Sequence, residues 1–310
     1  MNRIYAVVVC YNGSAWIRPC LESLCHSDTA LDIVVVDNAS TDDSVEVIHQ
    51  VFPQVELLLL KQNIGFGRAN NIGIRMAYDA GATHVFLLNQ DARVETGTVS
   101  ALVNKSSEDR AFAVLSPMHL DGKGLALDRL FAGYIVPESS PQLFSDLCLQ
   151  KAEDRLYETV FVNAAAWLLT RTCIETVGGF NPAFFLYGED NNYVHRVRWH
   201  GFKLGVYPLA YIYHDRGERP PAEPDMVEAF RRSSLVNYLN PLLSNDRAKE
   251  RARLTRAALG EALRGNFYYC RILMKERSVL AAMESLIKEK MAVTQLKQPL
   301  CFLDDAIPSA

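Results

Sequence analysis

The chain has 310 residues, 49% hydrophobic and 22% charged, with a net charge of −4. That apolar share excludes a disordered chain and suffices for a full core, while the acidic balance weighs against a nucleic-acid partner, which a basic surface would have to neutralise. Seven cysteines, an odd number without a C-x-x-C pair, exclude a disulfide framework and make the cytoplasm the expected location.

Ile4 to Cys10 (IYAVVVC) is β-branched and almost wholly apolar, which predicts a strand covered on both faces; it is too short for the apolar region of a signal peptide. The polar turn Tyr11-Asn12-Gly13-Ser14 leads into a helix over Trp16 to Leu24. Ile33 to Val36 predicts a second buried strand ending on Asp37-Asn38, and Ser40 or Thr41 offers an N-cap for a helix running to Val51. A strand over Val55 to Leu60, a helix over Ala69 to Ala80 and a strand over Val85 to Leu88 follow. Strands alternating with helices predict parallel pairing, hence an α/β sheet with helices on both faces. From Asp121 to Glu158 the pattern breaks into turns, expected to form an excursion over the crevice at the strand ends. Regular structure resumes with a strand over Phe161 to Thr170, helices over Arg171 to Val177 and Glu189 to His200, and a strand over Lys203 to Tyr213. Pro220, Pro221 and Pro224 then read as a hinge-like break, dividing the chain into a domain over 1–218 and a helical extension over 219–310. No apolar run approaches the ~18 residues of a membrane span.

Three strands end in polar side chains at the carboxyl edge where open parallel sheets bind ligands: Tyr11-Asn12, Asp37-Asn38 and Asn89-Asp91. They are expected to converge on one crevice. Gly65 and Gly67 do not complete a dinucleotide fingerprint, because Asn70 stands where its third glycine belongs; they read instead as a tight turn where Arg68 and backbone N–H groups meet a phosphate or a base. Asp37 can serve as a turn acid or can hydrogen-bond a base N–H or a ribose hydroxyl. Asp91 can cap a helix beginning near Glu95, or can hold a hard divalent cation whose other ligands come from a diphosphate. Glu189 and Asp190 start a helix whose positive end is expected to keep both ionised, with Arg196 about two turns along. A well-charged helix is the plainer reading of that pattern. His214 at a strand end is structural by itself, and a metal ligand if Asp91 lies beside it.

In order and spacing, the segments VVVCYNG, IVVVDNASTDDS, NIGFGRANNIGI, FLLNQDA, GGFNPAFFLYGEDNNYVHRVRWHGF and YIYH resemble family 2 glycosyltransferases, the inverting GT-A enzymes that use nucleotide sugars, and especially their bacterial rhamnosyltransferase-like branch. The resemblance covers Ile4 to His214. It implies a GT-A nucleotide-diphospho-sugar transferase fold, with a mostly parallel central sheet, helices on both faces and a helical C-terminal appendage. For the donor it implies contacts from Val9, Tyr11, Asp37, Asn38, Gly65, Arg68, Asn89 and Arg196. It implies Asp91 and His214 as ligands of Mg²⁺ or Mn²⁺, and Asp190 as the general base with Glu189 orienting it or the acceptor. Asn89 and Asn192 stand where the family often has acids. The implied reaction moves a sugar from a dTDP-, UDP- or GDP-linked donor to a hydroxyl of a glycan or lipid-linked acceptor, in cell-surface polysaccharide synthesis, with rhamnose suggested by the branch.

Two alternatives are a sugar nucleotidyltransferase and a non-catalytic nucleotide-sugar-binding protein. The first calls for a basic phosphate loop after the first strand, and no basic residue occurs there before Arg18. The second is opposed by the presence of both Glu189 and Asp190. The C-terminal helices hold eleven basic and five acidic residues between Arg247 and Lys290. They are read either as completing the fold or making a homodimer contact, or as peripheral docking on anionic lipid at the inner face of the plasma membrane.

Overall fold

The computed structural model describes residues 2–216, 225–244, 246–295 and 297–303. The proline-rich break and the 218/219 boundary lie outside the described residues.

The first half alternates as the apolar runs require: β1 (Ile4–Cys10), α1 (Ile17–Cys25), β2 (Asp32–Asp37), α2 (Ser44–Val51), β3 (Glu56–Leu59), α3 (Phe66–Asp79) and β4 (His84–Asn89). β3, β2, β1 and β4 pair in that order and in parallel, with Val9 opposite both Val36 and Asn89. Because strand side chains alternate between faces, Tyr5, Val7 and Val9 enter one core while Ile4, Ala6, Val8 and Cys10 enter the other. An all-apolar strand is the sequence signature of such two-sided burial.

The chain then departs from simple alternation. β5 (Ala92–Val94), α4 (Thr98–Glu108) and β6 (Phe112–Asp121) lead into two short helices, α5 (Arg129–Ala132) and α6 (Pro141–Cys148). These are followed by β7 (Tyr157–Glu158), β8 (Ala166–Thr170), α7 (Arg171–Val177), α8 (Glu189–Trp199) and β9 (Lys203–His214). Among the described residues the sheet is nine-stranded, ordered β3-β2-β1-β4-β8-β6-β9-β5 with β7 also on β9. β8 runs antiparallel to β4 and β6, and β5 and β7 run antiparallel to β9, so the sheet is mixed although its N-terminal half is parallel. The strand expected from Phe161 is confined to Ala166–Thr170.

Beyond this sheet lie α9 (Met226–Tyr238), α10 (Arg247–Leu263), α11 (Phe267–Ala282) and α12 (Glu284–Gln295). Their core of Leu235, Leu239, Leu254, Leu280 and Ile287 closes on Phe184, just before α8. Asn192 is fully buried and donates to the Leu239 carbonyl, so the position where the family often has an acid instead anchors this appendage. The chain returns once more to the sheet domain, where the Asn71 side chain donates to the Phe302 carbonyl and Gly179 N–H to the Cys301 carbonyl.

Candidate active site

The three polar strand ends form one wall of a crevice of about 810 Å³, lined by Val9, Tyr11, Asn38, Gly65, Asn89 and Asp91 and closed by the loop Phe185–Tyr187. Much of the polar sequence around it builds the wall. Gln90 clamps Tyr11, accepting from its N–H at 2.9 Å and donating to its carbonyl at 3.1 Å. Asn12 takes a positive φ of 48° and accepts from Thr41 N–H at 2.8 Å, while Ser40 and Ser44 accept from the N–H groups of Asn12 and Gly13. The hydroxyl-rich Ser40 to Ser44 run therefore ties the turn after β2 to the turn after β1. It does not cap at Ser40 or Thr41, since α2 begins at Ser44 behind Asp43.

Asp37 is buried, and one of its oxygens accepts from Ser40 N–H at 3.0 Å. Its other oxygen has no hydrogen-bond partner among the described residues, and neither does the buried side-chain oxygen of Asn89. Unpaired buried acceptors are costly; Asn89 lines the crevice, where a ligand donor would satisfy its oxygen. Asn38 accepts from Ile64 N–H and donates to Asn63, whose oxygen also accepts from Gly65 N–H. This fastens the glycine turn. Gly65 has φ +90°, and a Cβ there would lie 2.2 Å from the Phe185 carbonyl oxygen, so a side chain would push the closing loop away. Arg68 is exposed and gives its guanidinium to the Pro182 carbonyl.

Asp91 sits beside His214 because β5 pairs antiparallel with β9, placing Ala92 opposite His214. The Asp91 carboxylate lies 3.3 Å from His214 Nε2, and both side chains are buried. With β5 between Asp91 and α4, which starts at Thr98, the helix-cap reading of Asp91 falls away. Behind His214, its Nδ1 is 4.0 Å from Asp128 Oδ2, and the same oxygen accepts from Arg216 Nε at 2.5 Å. Asp128 also caps α5, accepting from Leu130 and Phe131 N–H groups. Burial alone would raise its carboxyl, but Arg216 and the Phe131 amide hold it below the ordinary range. A carboxylate behind an imidazole that faces a second acid is the arrangement that orients a metal-ligating histidine.

Glu189 and Asp190 begin α8 after the left-handed pair Tyr187 (φ 65°) and Gly188 (φ 93°). The expectation that the helix end keeps both ionised is corrected by the structure. Burial, reinforced by Asp190, pushes the Glu189 carboxyl up to about 8, and burial raises Asp190 as well. Desolvation thus outweighs the helix end. Tyr134 lies within electrostatic reach of Asp190, Arg216 and Asp128; burial first and these acids next raise its phenol. Asp190 and Asp128 therefore both act on Tyr134. On its other side, the α8 start borders a cleft of about 370 Å³ lined by Tyr187, Asn191, Arg232, Ser233 and Asn237.

Arg196 is the residue the structure removes from the site. It is fully buried, donates to the Val177 and Gly179 carbonyls, and stacks over Tyr193 and Phe302. Its guanidinium knits α7, α8 and the chain end together and does not reach the crevice. Asn63, Gln90, Asp128, Tyr134 and the Phe185–Tyr187 loop, by contrast, enter the site without having been expected there. Asp128 lies in the irregular excursion, and its only sequence signal is an acid ahead of a short apolar turn. The rest of that excursion does not cover the crevice, since α6 packs near β7, where Asp146 accepts from Tyr157 Oη. A further cavity of about 640 Å³, walled by the ion-paired Lys105, Arg155 and Lys203, contains none of the expected residues.

Residues 5–140, which carry the three crevice strand ends, the glycine turn, Asp91 and Asp128, match the family model described as Glycosyl transferase family 2. That match spans somewhat under half of the chain. Among its relatives is the N-acetylglucosaminyl-diphospho-decaprenol L-rhamnosyltransferase of Mycobacterium tuberculosis, 26% identical over 70% of this chain and 78% of that protein. The dTDP-rhamnosyl transferase RfbF of Shigella flexneri is 22% identical over 70% of this chain and 71% of that protein. Residues 1–349 of S. aureus TarS, solved in complex with UDP, superpose with a TM-score of 0.53 at 14% identity, over 91% of each chain. GalNAc-T7 with UDP, GalNAc and Mn²⁺ gives 0.56 at 16% identity over 77% of this chain and 50% of that chain. At such identities the two structures establish a shared GT-A-like fold.

Two further expectations follow from the geometry. Glu189 binds a proton in the folded protein between its ordinary value of 4.5 and about 8, a window in which the unfolded chain has lost that proton. Stability therefore falls as pH rises through that window. Glu189→Gln, which cannot ionise, is expected to flatten the slope, so that thermal melts match wild type below about pH 4.5 and lie higher above about pH 8. Asp128→Asn retains an oxygen for the α5 cap but loses the charge behind His214. Affinity for Mn²⁺, followed by the paramagnetic signal of the free ion, is expected to drop by about 10- to 100-fold with the fold retained.

Proposed function

We propose that this protein moves a sugar from a nucleoside-diphosphate donor to a hydroxyl of a glycan or lipid-linked acceptor, with inversion, in cell-surface polysaccharide synthesis. Two observations support the reading: the Asp91–His214 pair on the crevice wall, backed by Asp128, and the acid Asp190, which with Asp128 acts on Tyr134.

Within this reading the donor lies along the strand ends. Val9 and Tyr11 wall the base, the unpaired oxygen of Asp37 accepts from a base N–H or ribose hydroxyl, and the Gly65 turn with Arg68 borders the phosphates. Among the described residues no cluster of three or more His, Cys, Asp or Glu side chains is disposed to hold a metal. The carboxylate and imidazole of Asp91 and His214 still fit Mg²⁺ or Mn²⁺, ions commonly held through one or two protein groups plus substrate phosphates. When bound, the ion would neutralise charge on the departing diphosphate. Asp190 accepts the proton of the acceptor hydroxyl as its oxygen bonds to the anomeric carbon and the bond to the diphosphate oxygen breaks on the opposite face. Glu189, held protonated by burial, keeps a second negative charge away from Asp190. The cleft beside Arg232 is the approach for the acceptor. The identities of RfbF and of the mycobacterial enzyme make a dTDP-rhamnose donor and a lipid-diphosphate acceptor the first pair to try.

The test is to incubate the protein with dTDP-, UDP- and GDP-sugars and polyprenyl-diphosphate N-acetylglucosamine, and to read the anomeric configuration of the product by NMR. A product of inverted configuration is expected. A retained configuration contradicts the single-displacement reading.

A further inference from the structure

Charge count makes the whole C-terminal extension look like a cationic surface, yet five of the eleven basic side chains between Arg247 and Lys290 are ion-paired. Arg251 pairs with Glu284, Arg253 with Glu250, Arg264 with Glu261 and Lys290 with Glu289. Among the described residues of that stretch, Arg247, Arg256, Arg271, Lys275, Arg277 and Lys288 form no ion pair. Arg256, Arg271 and Lys275 are exposed; Arg256 and Arg271 lie on the halves of α10 and α11 that flank the turn between them, and Lys275 stands one helical turn beyond Arg271.

The apolar groups gather at the same turn. Leu263 is 89% exposed, Phe267 71%, Tyr268 69% and Leu259 61%, a run of exposed apolar side chains close together in sequence. On α10, Arg256, Leu259 and Leu263 are spaced i, i+3, i+7 and share a face; on α11, Phe267, Arg271 and Met274, spaced i, i+4, i+7, share one too. A Cβ built on Gly260 or Gly265 meets nothing within 4 Å, so the turn is unpacked by the rest of the molecule. Scattered exposed apolar residues need no explanation, but a cluster rimmed by polar groups marks an interaction surface.

We propose that the α10–α11 turn is a membrane-docking tip, inserting Leu263, Phe267 and Tyr268 into the headgroup region of an anionic bilayer while Arg256, Arg271 and Lys275 meet lipid phosphates. The chemistry selects this occupant. Aromatic and aliphatic side chains beside cations are the composition of surfaces that lie in the membrane interface. A second copy of the chain placed two-fold on the same patch would set these cations against their own images. No helix among the described residues is long and apolar enough to cross a membrane, so contact by this tip would be peripheral. The hairpin that carries it is rooted through Leu254 and Leu280 in the core that includes Phe184, next to the acid pair. Docking would thus hold the crevice near a lipid-linked acceptor, although the tip itself stands independent of the crevice chemistry.

The experiment is co-sedimentation of the full chain with phosphatidylcholine vesicles, with and without phosphatidylglycerol, comparing wild type, a Leu263→Ser, Phe267→Ser, Tyr268→Ser variant and an Arg256→Gln, Arg271→Gln, Lys275→Gln variant. All six side chains are exposed, and circular dichroism with nucleotide titration confirms that the fold and crevice persist. Wild type is expected to bind only vesicles containing phosphatidylglycerol. At about 1 kcal/mol per cation, the charge variant should bind on the order of 100-fold more weakly, and the serine variant should also lose binding. Absence of wild-type binding to anionic vesicles, or undiminished binding by both variants, overturns the proposal. So does a concentration-dependent dimer in analytical ultracentrifugation that the serine variant dissolves. Nucleotide binding in the same samples reports on the crevice separately, so failure of one reading does not hide in failure of the other.

Discussion

Asp190→Asn is expected to bind nucleotide as wild type does and to turn over about 10²- to 10⁴-fold more slowly. The amide is nearly isosteric and can still accept from Asn191 N–H, as Asp190 Oδ1 does at 2.8 Å. What it cannot do is take a proton from the acceptor hydroxyl. Burial raises the Asp190 carboxyl above its ordinary value, making it a stronger base than an exposed aspartate. The base must be ionised to act, so wild-type turnover should climb with pH through that raised value, and the residual rate of the variant should lose this limb. Steady-state kinetics across pH, with donor affinity measured alongside, separate this outcome from a structural defect. A fall in nucleotide affinity equal to the fall in rate would place Asp190 in donor binding instead.

The second large effect is expected from Asp91→Asn. Removing its charge leaves His214 as the one ligand at the pair, backed by Asp128 at 4.0 Å. Nucleotide binding in the presence of Mn²⁺ should then weaken by about 100-fold or more, to the level that wild type shows in EDTA, because a change even one shell further out typically costs 10- to 100-fold. Binding that does not need the metal, through Tyr11, Asp37 and the glycine turn, should survive in both. The two substitutions thus divide the site: one affects the departing diphosphate, the other the attacking hydroxyl.

The parts of this arrangement that were legible in the sequence are those governed by local pattern. β1 and α7 span the residues their apolar runs and caps predict, and the convergence of Tyr11, Asn38, Asn89 and Asp91 follows from parallel strands all ending at one sheet edge. The antiparallel β8, inserted between β4 and β6, was not legible, because an apolar run does not encode the direction of its partner. Arg196 was misplaced for a related reason. Helical spacing gives the distance from the acid pair but not which face meets solvent, and Tyr193, Phe302 and two backbone carbonyls claim that face. The ionisation of Glu189 went the same way: the helix end is visible in the sequence, whereas the burial that overrides it comes from tertiary packing. Asp128 illustrates the limit most clearly. Its distance to His214 is set by β6, β9 and the turn between β6 and α5, and no spacing in the chain signals that meeting.

The proposed chemistry requires the crevice to hold a nucleoside diphosphate through a metal at Asp91 and His214. The most direct measurement is calorimetric titration of wild-type protein with UDP, dTDP and GDP, each in Mn²⁺ and in EDTA. The prediction is that one nucleotide binds tightly with Mn²⁺ and that the binding collapses in EDTA. Folded protein that binds none of the three, or binds one equally well in EDTA, would contradict it.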